Sequence, residues 1–541
     1  MNLNDNLIPG IKLNIVQLII ITLAFIVYIF SILPLSDWLI DDAGISFVFS
    51  RNLAAGNGLV TQPGMNPIEG YSNFLWVILM AVFYLVGLFE PYITSKIISC
   101  ILVLGIFILL GKSVKKQSVT NYLLLFITLI LIATSASFVI WTTSGLENPL
   151  YAFLIVLLWY LILNADAKNI TQKQLFIFAL ISFGILITRP DGIVYILVLP
   201  IYLIGSNLYT KSFSFKKNGT LLIMYFLYAA GLIAALLLFR NLYFHDFFPN
   251  TYHVKGGPDS ETILSIITLE TEYLIKSQEL LSTFTGKTIW LSFPILFLVW
   301  IIIISLKKTD FHRTFLTLLM YCFSLGVYLL LPIDWMGEYR FATPFYLFSA
   351  FVILFFFIDL FALTSKRYGK ILLLLVGLAF VYSSAQENIP RLQTWHKTKK
   401  VSFARIANNY GFKFNNYAEK LNIKNGSFLV PDIGGTLYYS ELKIYDLGGL
   451  CDPVIAKNRG KNQQKFYDYI FEEIKPTFIH THGYFTVVSK FDEDNRFSED
   501  YIPINEYPDT YAEKQIGRKI MSGDYIRKDA ISSVEELSKI R

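Results

Sequence analysis

Apolar runs dominate this chain and limit what it can become. They lie near Ile15–Pro34, Tyr71–Leu88, Ile93–Gly111, Tyr122–Ile140, Pro149–Leu163, Leu175–Thr188, Ile193–Ile204 and Leu221–Arg240. After a polar interval come Ile289–Ser305, Phe315–Leu331, Thr343–Leu363 and Ile371–Tyr382. A helix crossing a bilayer core needs ~17–25 apolar residues, and a chain with twelve candidates of this kind reads as a polytopic α-helical membrane protein. The balance of 54% hydrophobic to 16% charged residues and the mean hydropathy of +0.51 agree.

Orientation follows from where the cations sit, because short loops rich in Lys and Arg stay cytoplasmic. They cluster at Lys112/Lys115/Lys116, Lys168/Lys173, Lys211/Lys216/Lys217, Lys307/Lys308/Arg313 and Lys366/Arg367/Lys370. All five loops fall inside if the N-terminus is inside and Tyr71–Leu88 lies in the outer interface; all five fall outside if that run spans. The first choice is adopted. It predicts about eleven spanning helices, an uncleaved N-terminal anchor and an outer-face C-terminal part.

The same choice gathers five polar, aromatic-rich segments on the outer face. They are the loop over 36–70, Trp141–Pro149, Thr188–Gly192, Arg240–Gly257 and Asp334–Phe341. The first holds adjacent carboxylates, Asp41 and Asp42, directly after a span. A short amphipathic helix is expected at about Ile45–Leu53, and Glu69 precedes the next apolar run. Asp41 and Asp42 also suit a helix N-terminus, where Asp is a common cap. Arg189 and Asp191 are expected to form an ion pair at a helix break.

Composition turns soluble near Arg391, dividing a membrane domain (1–386) from an extracytoplasmic α/β domain (387–541). SFLVPD and LKIYDLGG read as strands separated by a turn at Gly434/Gly435, KFYDYIFEEI as a helix and PTFIHTHGYF as another strand. His480 and His482 in the last segment look like metal ligands, but alternation along a strand explains their spacing. Cys100, Cys322 and Cys451 are too scattered for a disulfide framework or a zinc site. No basic face interleaved with aromatics stands out, so no nucleic-acid partner is expected.

Taken together, DDAGISFVFSRNLAAGNGLV, EGYSNFLW, TSGLENPLY, TRPDG, PNTYHVK, DWMGEYRF and DLGGLCDP resemble the mycobacterial terminal arabinofuranosyltransferases and their bacterial relatives. These belong to the GT-C superfamily of polytopic glycosyltransferases. The resemblance keeps motif order over nearly the whole chain. It implies transfer of a sugar from a polyprenyl-phosphate donor to an extracytoplasmic glycan or glycoprotein. The expected setting is the outer face of the bacterial cytoplasmic (inner) membrane, with a catalytic acid in the first loop. It also implies a C-terminal domain akin to a carbohydrate-binding module. An arabinofuranose-like pentose is the favoured sugar; the alternative is a hexosyl or aminosugar transferase of the same fold.

A polyprenyl-phosphate sugar already carries a good leaving group. The reaction needs a carboxylate near the anomeric carbon or the acceptor hydroxyl, and a cation near the departing phosphate. Asp41 or Asp42 can supply the first, as general base or as nucleophile, and two adjacent carboxylates titrate as a pair. For the second, Arg340 comes first because a guanidinium meets phosphate oxygens with two donors. His253 and Lys255 follow, then Arg240. Glu69, Glu147, Tyr252 and Trp335 complete the candidate donor-binding set, and interfacial aromatic belts are the rival explanation of Trp141, Tyr252 and Trp335. No cofactor is required. A divalent cation (Mg or Mn) held by Asp41 or Asp42 is compatible with the chemistry, although no second ligand cluster accompanies it. A polysaccharide or lipid transporter is the rival from another class. It should show paired half-repeats with broken helices near the midplane, whereas here polar residues gather on one face.

Overall fold

The computed structural model describes residues 13–167, 169–211, 215–256, 260–268, 270–287, 298–302, 310–332, 334–364 and 367–541. Most of the Ile289–Ser305 run, with Lys168, Lys307, Lys308 and Lys366, lies outside the described residues. The chain divides into two compact units. The first comprises 1–37, 90–236 and 258–400; the second comprises 38–89, 237–257 and 401–541.

The first unit is helical. Among the described residues of the whole chain, seven helices are long and apolar enough to cross a membrane, or eight if a bent pair counts as one span. Burial separates a central helix from peripheral ones. Of the apolar stretch in Arg340–Leu363, 78% is buried, against 17% in Asn218–Phe244. A helix apolar all round and buried all round is a core helix. Several polar groups around it are paired: Trp300 and Arg313 both reach Asp359, and Trp159 donates to Thr317 Oγ1 at 3.2 Å. The bent pair, Val119–Thr134 and Ala136–Thr143, turns by 61° at Ser135. Asn388 Oδ1 accepts the Ala136 N–H at 2.8 Å, satisfying one donor freed by the break.

The second unit is built on a five-stranded sheet with strands β1 (Ser427–Val430), β2 (Lys443–Asp446), β3 (Phe478–Thr481), β4 (Tyr501–Pro508) and β5 (Met521–Arg527). Their order is β2-β1-β3-β5-β4. β1 pairs in parallel with β2 and β3, while β5 runs antiparallel to β3 and β4. β1 alternates between two cores. Phe428 and Val430 enter one and Leu429 the other, as expected of a strand covered on both faces. Parallel neighbours cannot be joined by a tight turn. Gly434 and Gly435 therefore do not make the turn expected there; they begin a crossover helix, Gly434–Tyr439.

The first of these cores also takes Ile45, Val48 and Phe49 from the helix Asp41–Ala54, with Phe239, Tyr243 and Phe244 packed against it. The helix Phe74–Leu85 belongs to the same unit; at 12 residues it is about 18 Å long, too short for a bilayer core. Gly44 is required at the contact with the crossover helix. A Cβ there would stand 2.6 Å from the Gly434 carbonyl.

Candidate active site

The expected carboxylate pair opens the helix Asp41–Ala54, and its two members have different surroundings. Asp41 is 3% exposed. Both its oxygens accept backbone N–H groups of the crossover helix, Gly434 at 3.0 Å and Gly435 at 2.7 Å. Neither Asp41 nor any other side chain caps the Asp41–Ala54 helix itself, whose N-cap is Ile40. Asp41 instead satisfies the first donors of another helix. Its own N–H donates to Val401 O at 3.0 Å. Burial pushes the Asp41 carboxyl up against those two bonds, and the nearby charges of Asp432 and Asp42 push the same way. Asp42 is half-buried and so keeps access to solvent.

Glu69 is buried and grips Arg240 with both oxygens, at 2.7 Å from Nε and 2.8 Å from Nη2. This bidentate pair joins the end of the first loop to the segment 237–257. Asn250 reinforces it, donating its N–H to Glu69 O at 3.0 Å and its side-chain amide to the carbonyls of Gly449 (2.7 Å) and Leu450 (2.8 Å). Three motifs read separately in the sequence, EGYSN, PNTYHVK and DLGGLCDP, thus meet through one asparagine. His253 Nε2 lies 2.8 Å from Asp246 Oδ2, and Lys457 reaches the same oxygen at 3.2 Å. Tyr252 is exposed and stacks on Phe248, with ring centroids 4.9 Å apart. Lys255 is exposed at the end of its helix.

In the first unit the other three motifs converge. Glu147 stands at the N-cap of Asn148–Asn164 without capping it; its carboxylate receives Arg189 Nη1 at 3.2 Å. Arg189 Nε is 3.1 Å from Asp191, which makes the expected ion pair part of a buried triad. Asn148 donates to Arg340 O at 2.9 Å, and Arg340 Nε is 2.8 Å from Asp334. The guanidinium groups of Arg189 and Arg340 both stack on Phe341, at 4.5 and 4.6 Å. Arg340 is turned inward by three successive residues with positive φ, Gly337, Glu338 and Tyr339. Two of these are non-glycine and cost of order 1 kcal/mol each. Trp141 Nε1 holds Glu338 O at 2.9 Å, Ser137 holds Tyr339 O at 3.3 Å, and Arg391 pairs with the Glu338 carboxylate at 2.7 Å. Trp141 is fully buried in this role and has no face for a sugar; Trp335 is 65% exposed.

No group of three or more His, Cys, Asp or Glu among the described residues could hold a metal ion. Asp41 is ill suited to a cation because both its oxygens already accept N–H groups. Sequence reasoning missed Asp432, Asn250 and Asp524. It also set aside His480 and His482, whose rings hydrogen-bond to each other at 3.1 Å. The only available signal was their i, i+2 spacing, which places both on one face of a strand.

The chain superposes over almost its full length on a solved structure. ArnT from Cupriavidus metallidurans bound to undecaprenyl phosphate aligns over 95% of this chain and 99% of its own, with a TM-score of 0.53 and 10% identity. Its apo form aligns over 95% and 98%, with a TM-score of 0.54 and 10% identity. The fold also relates the chain to the oligosaccharyltransferase of Archaeoglobus fulgidus in its apo form, over 86% of this chain and 69% of that one, with a TM-score of 0.50 and 10% identity. At such identity the likeness is one of fold. Within it, residues 395–525 match a family described as a domain of unknown function (DUF8728). No curated protein matches the chain in sequence.

Proposed function

We propose that this protein is a GT-C glycosyltransferase that moves a sugar from a polyprenyl-phosphate donor to an extracytoplasmic glycan or glycoprotein. Asp42 is its proton-accepting carboxylate and Arg340 its phosphate-binding cation. An arabinofuranose-like pentose is the sugar the sequence motifs favour. The fold shared with ArnT, whose solved form binds undecaprenyl phosphate, supports the donor class.

The observation that carries the assignment is the division of labour within the acidic pair. Asp41 is committed to two backbone N–H groups and buried, so its task is to anchor the helix. Asp42, one residue on and half-buried, is held in place by that anchor. In the reaction the acceptor oxygen forms a bond to the anomeric carbon as the bond from that carbon to the phosphate oxygen breaks. The electron pair leaves with the polyprenyl phosphate, and the acceptor proton passes to the Asp42 carboxylate. A base so placed contributes on the order of 10²–10⁴ in rate. Arg340, with its forked guanidinium, suits the charge gathering on the phosphate.

The test is sugar transfer from radiolabelled undecaprenyl-phosphate sugars by the purified protein in nanodiscs, with glycan analysis of a deletion strain to identify what is lost. Transfer by wild type and none by Asp42→Asn supports the reading. Full transfer by Asp42→Asn removes Asp42 from the chemistry.

A further inference from the structure

A row of four titratable side chains crosses the second unit, and the reaction as described leaves it without a task. Asp524 Oδ1 lies 2.7 Å from His480 Nδ1, His480 Nε2 lies 3.1 Å from His482 Nδ1, and His482 Nε2 lies 3.5 Å from Asp432 Oδ2. One end is sealed and the other open. The His480 and Asp524 side chains are 7% and 4% exposed, those of His482 and Asp432 32% and 22%. The open end adjoins the acidic pair. Asp432 stands two residues before Gly434, whose N–H binds Asp41, and its charge acts on the Asp41 carboxyl.

A bond between two imidazole nitrogens needs a proton on one and a lone pair on the other. The row therefore has two complete arrangements. In one, Asp432 is a carboxylic acid that donates to His482 Nε2, His482 Nδ1–H donates to His480 Nε2, and His480 Nδ1–H donates to Asp524. In the other, the two outer shared protons have each moved one place inward and the proton between His480 Nδ1 and Asp524 has stayed. Asp432 is then a carboxylate, His482 is neutral with its proton on Nε2, and His480 is an imidazolium between His482 and the Asp524 carboxylate. The two differ by one proton passed along the row, and the 3.5 Å step between His482 Nε2 and Asp432 Oδ2 shortens when it crosses.

We propose that Asp432, His482, His480 and Asp524 form a proton-accepting relay that drains the Asp41/Asp42 pair after each sugar transfer. The inference rests on the reading of Asp42 as the base. The proton that leaves the acceptor hydroxyl reaches Asp432 from the pair and is stored as the His480 imidazolium, paired with Asp524; release at the open end restores the row. Other groups face it throughout. Arg405 and Asp41 act on Asp432, Asp509 acts on His482, Tyr410 lies 4.6 Å from the His480 ring, and Lys413 Nζ is 2.5 Å from Asp524 Oδ2. Burial raises the Asp432 carboxyl against the pull of His482, His480 and Arg405. Burial likewise lowers His482 against the pull of Asp432. The two shifts bring the donor and acceptor affinities together, which makes the handover cheap.

The chain has six histidines, so selective ¹⁵N-histidine labelling of the full-length protein in nanodiscs resolves the row directly. Between pH 5 and 9 the His480 and His482 ring nitrogens should titrate together, and Asp432→Asn should move the His482 curve to lower pH. Independent titration, unchanged by Asp432→Asn, overturns the relay. In transfer from undecaprenyl-phosphate sugars, His482→Gln should lose about 10²-fold in rate and recover with imidazole in the buffer. If Asp42→Asn is inactive while His482→Gln keeps the wild-type rate across pH, the relay fails and the base assignment stands. If Asp42→Asn is active, the base assignment fails and takes the relay's function with it.

Discussion

The Asp41 carboxylate accepts the N–H of Gly435 at 2.7 Å, tying the start of the first loop helix to a crossover helix 394 positions further along the chain. Gly434 completes the grip from 3.0 Å. This contact fixes which acid of the pair is structural. It also explains both glycines, since a Cβ on Gly434 would stand 1.8 Å from Asp41 O and one on Gly435 2.5 Å from Phe403 O.

Asp41→Ala should therefore act first on stability. Two buried N–H groups would lose their acceptor, at about 1–3 kcal/mol each. Thermal unfolding followed by proteolysis of the C-terminal part should show the loss, and Gly434→Ala should reproduce it by forcing the two helices apart while both carboxylates are kept.

Removing one partner of the Glu69–Arg240 pair leaves the other charged group buried. Glu69→Gln should destabilise the second unit by about 3 kcal/mol. Chemical denaturation of the purified protein measures this, and Glu69→Gln combined with Arg240→Met should recover part of the loss.

How much of this was legible in the sequence depends on the range of the interaction. The apolar runs mark the helices because hydrophobicity is local, and the placing of Lys and Arg in the loops brought out three of the polar segments now seen meeting in the first unit. The Glu69–Arg240 pair and the Asp41–Gly435 bond were not legible, because nothing near Glu69 or Asp41 in the chain signals a partner so far away. The Gly–Gly step looked like a turn because glycine's usual role is conformational; here it is steric, permitting backbone to approach backbone. The two histidines of IHTH were read as strand alternation, yet only His480 lies in β3 (Phe478–Thr481), and that reading is silent about their bond to each other.

Asp446 gives a pH dependence with a definite sign. Burial raises its carboxyl from the ordinary carboxylate range to about 7, so below that pH the folded protein holds it protonated. The stability this contributes is complete below the ordinary carboxylate pKa of about 3.9 and is lost as pH rises through about 7. Across pH 4–7 the wild type should lose stability relative to Asp446→Asn, and the difference should level off above. Thermal melts of both proteins in matched buffers read it out; parallel curves would show that Asp446 folds ionised.

Arg340→Lys keeps the charge and loses the fork. It should lower kcat/KM for a polyprenyl-phosphate sugar by on the order of 10²-fold while melting close to wild type. Equal losses of stability and transfer would make Arg340 a packing residue, held by Asp334 and stacked on Phe341.

The most direct test compares Asp41→Asn with Asp42→Asn in one experiment, scoring sugar transfer from undecaprenyl phosphate against thermal stability. The account predicts that Asp42→Asn melts like wild type and transfers nothing, and that Asp41→Asn melts early yet transfers sugar while folded. The reverse pattern, with Asp42→Asn active and a stable Asp41→Asn inert, would contradict it.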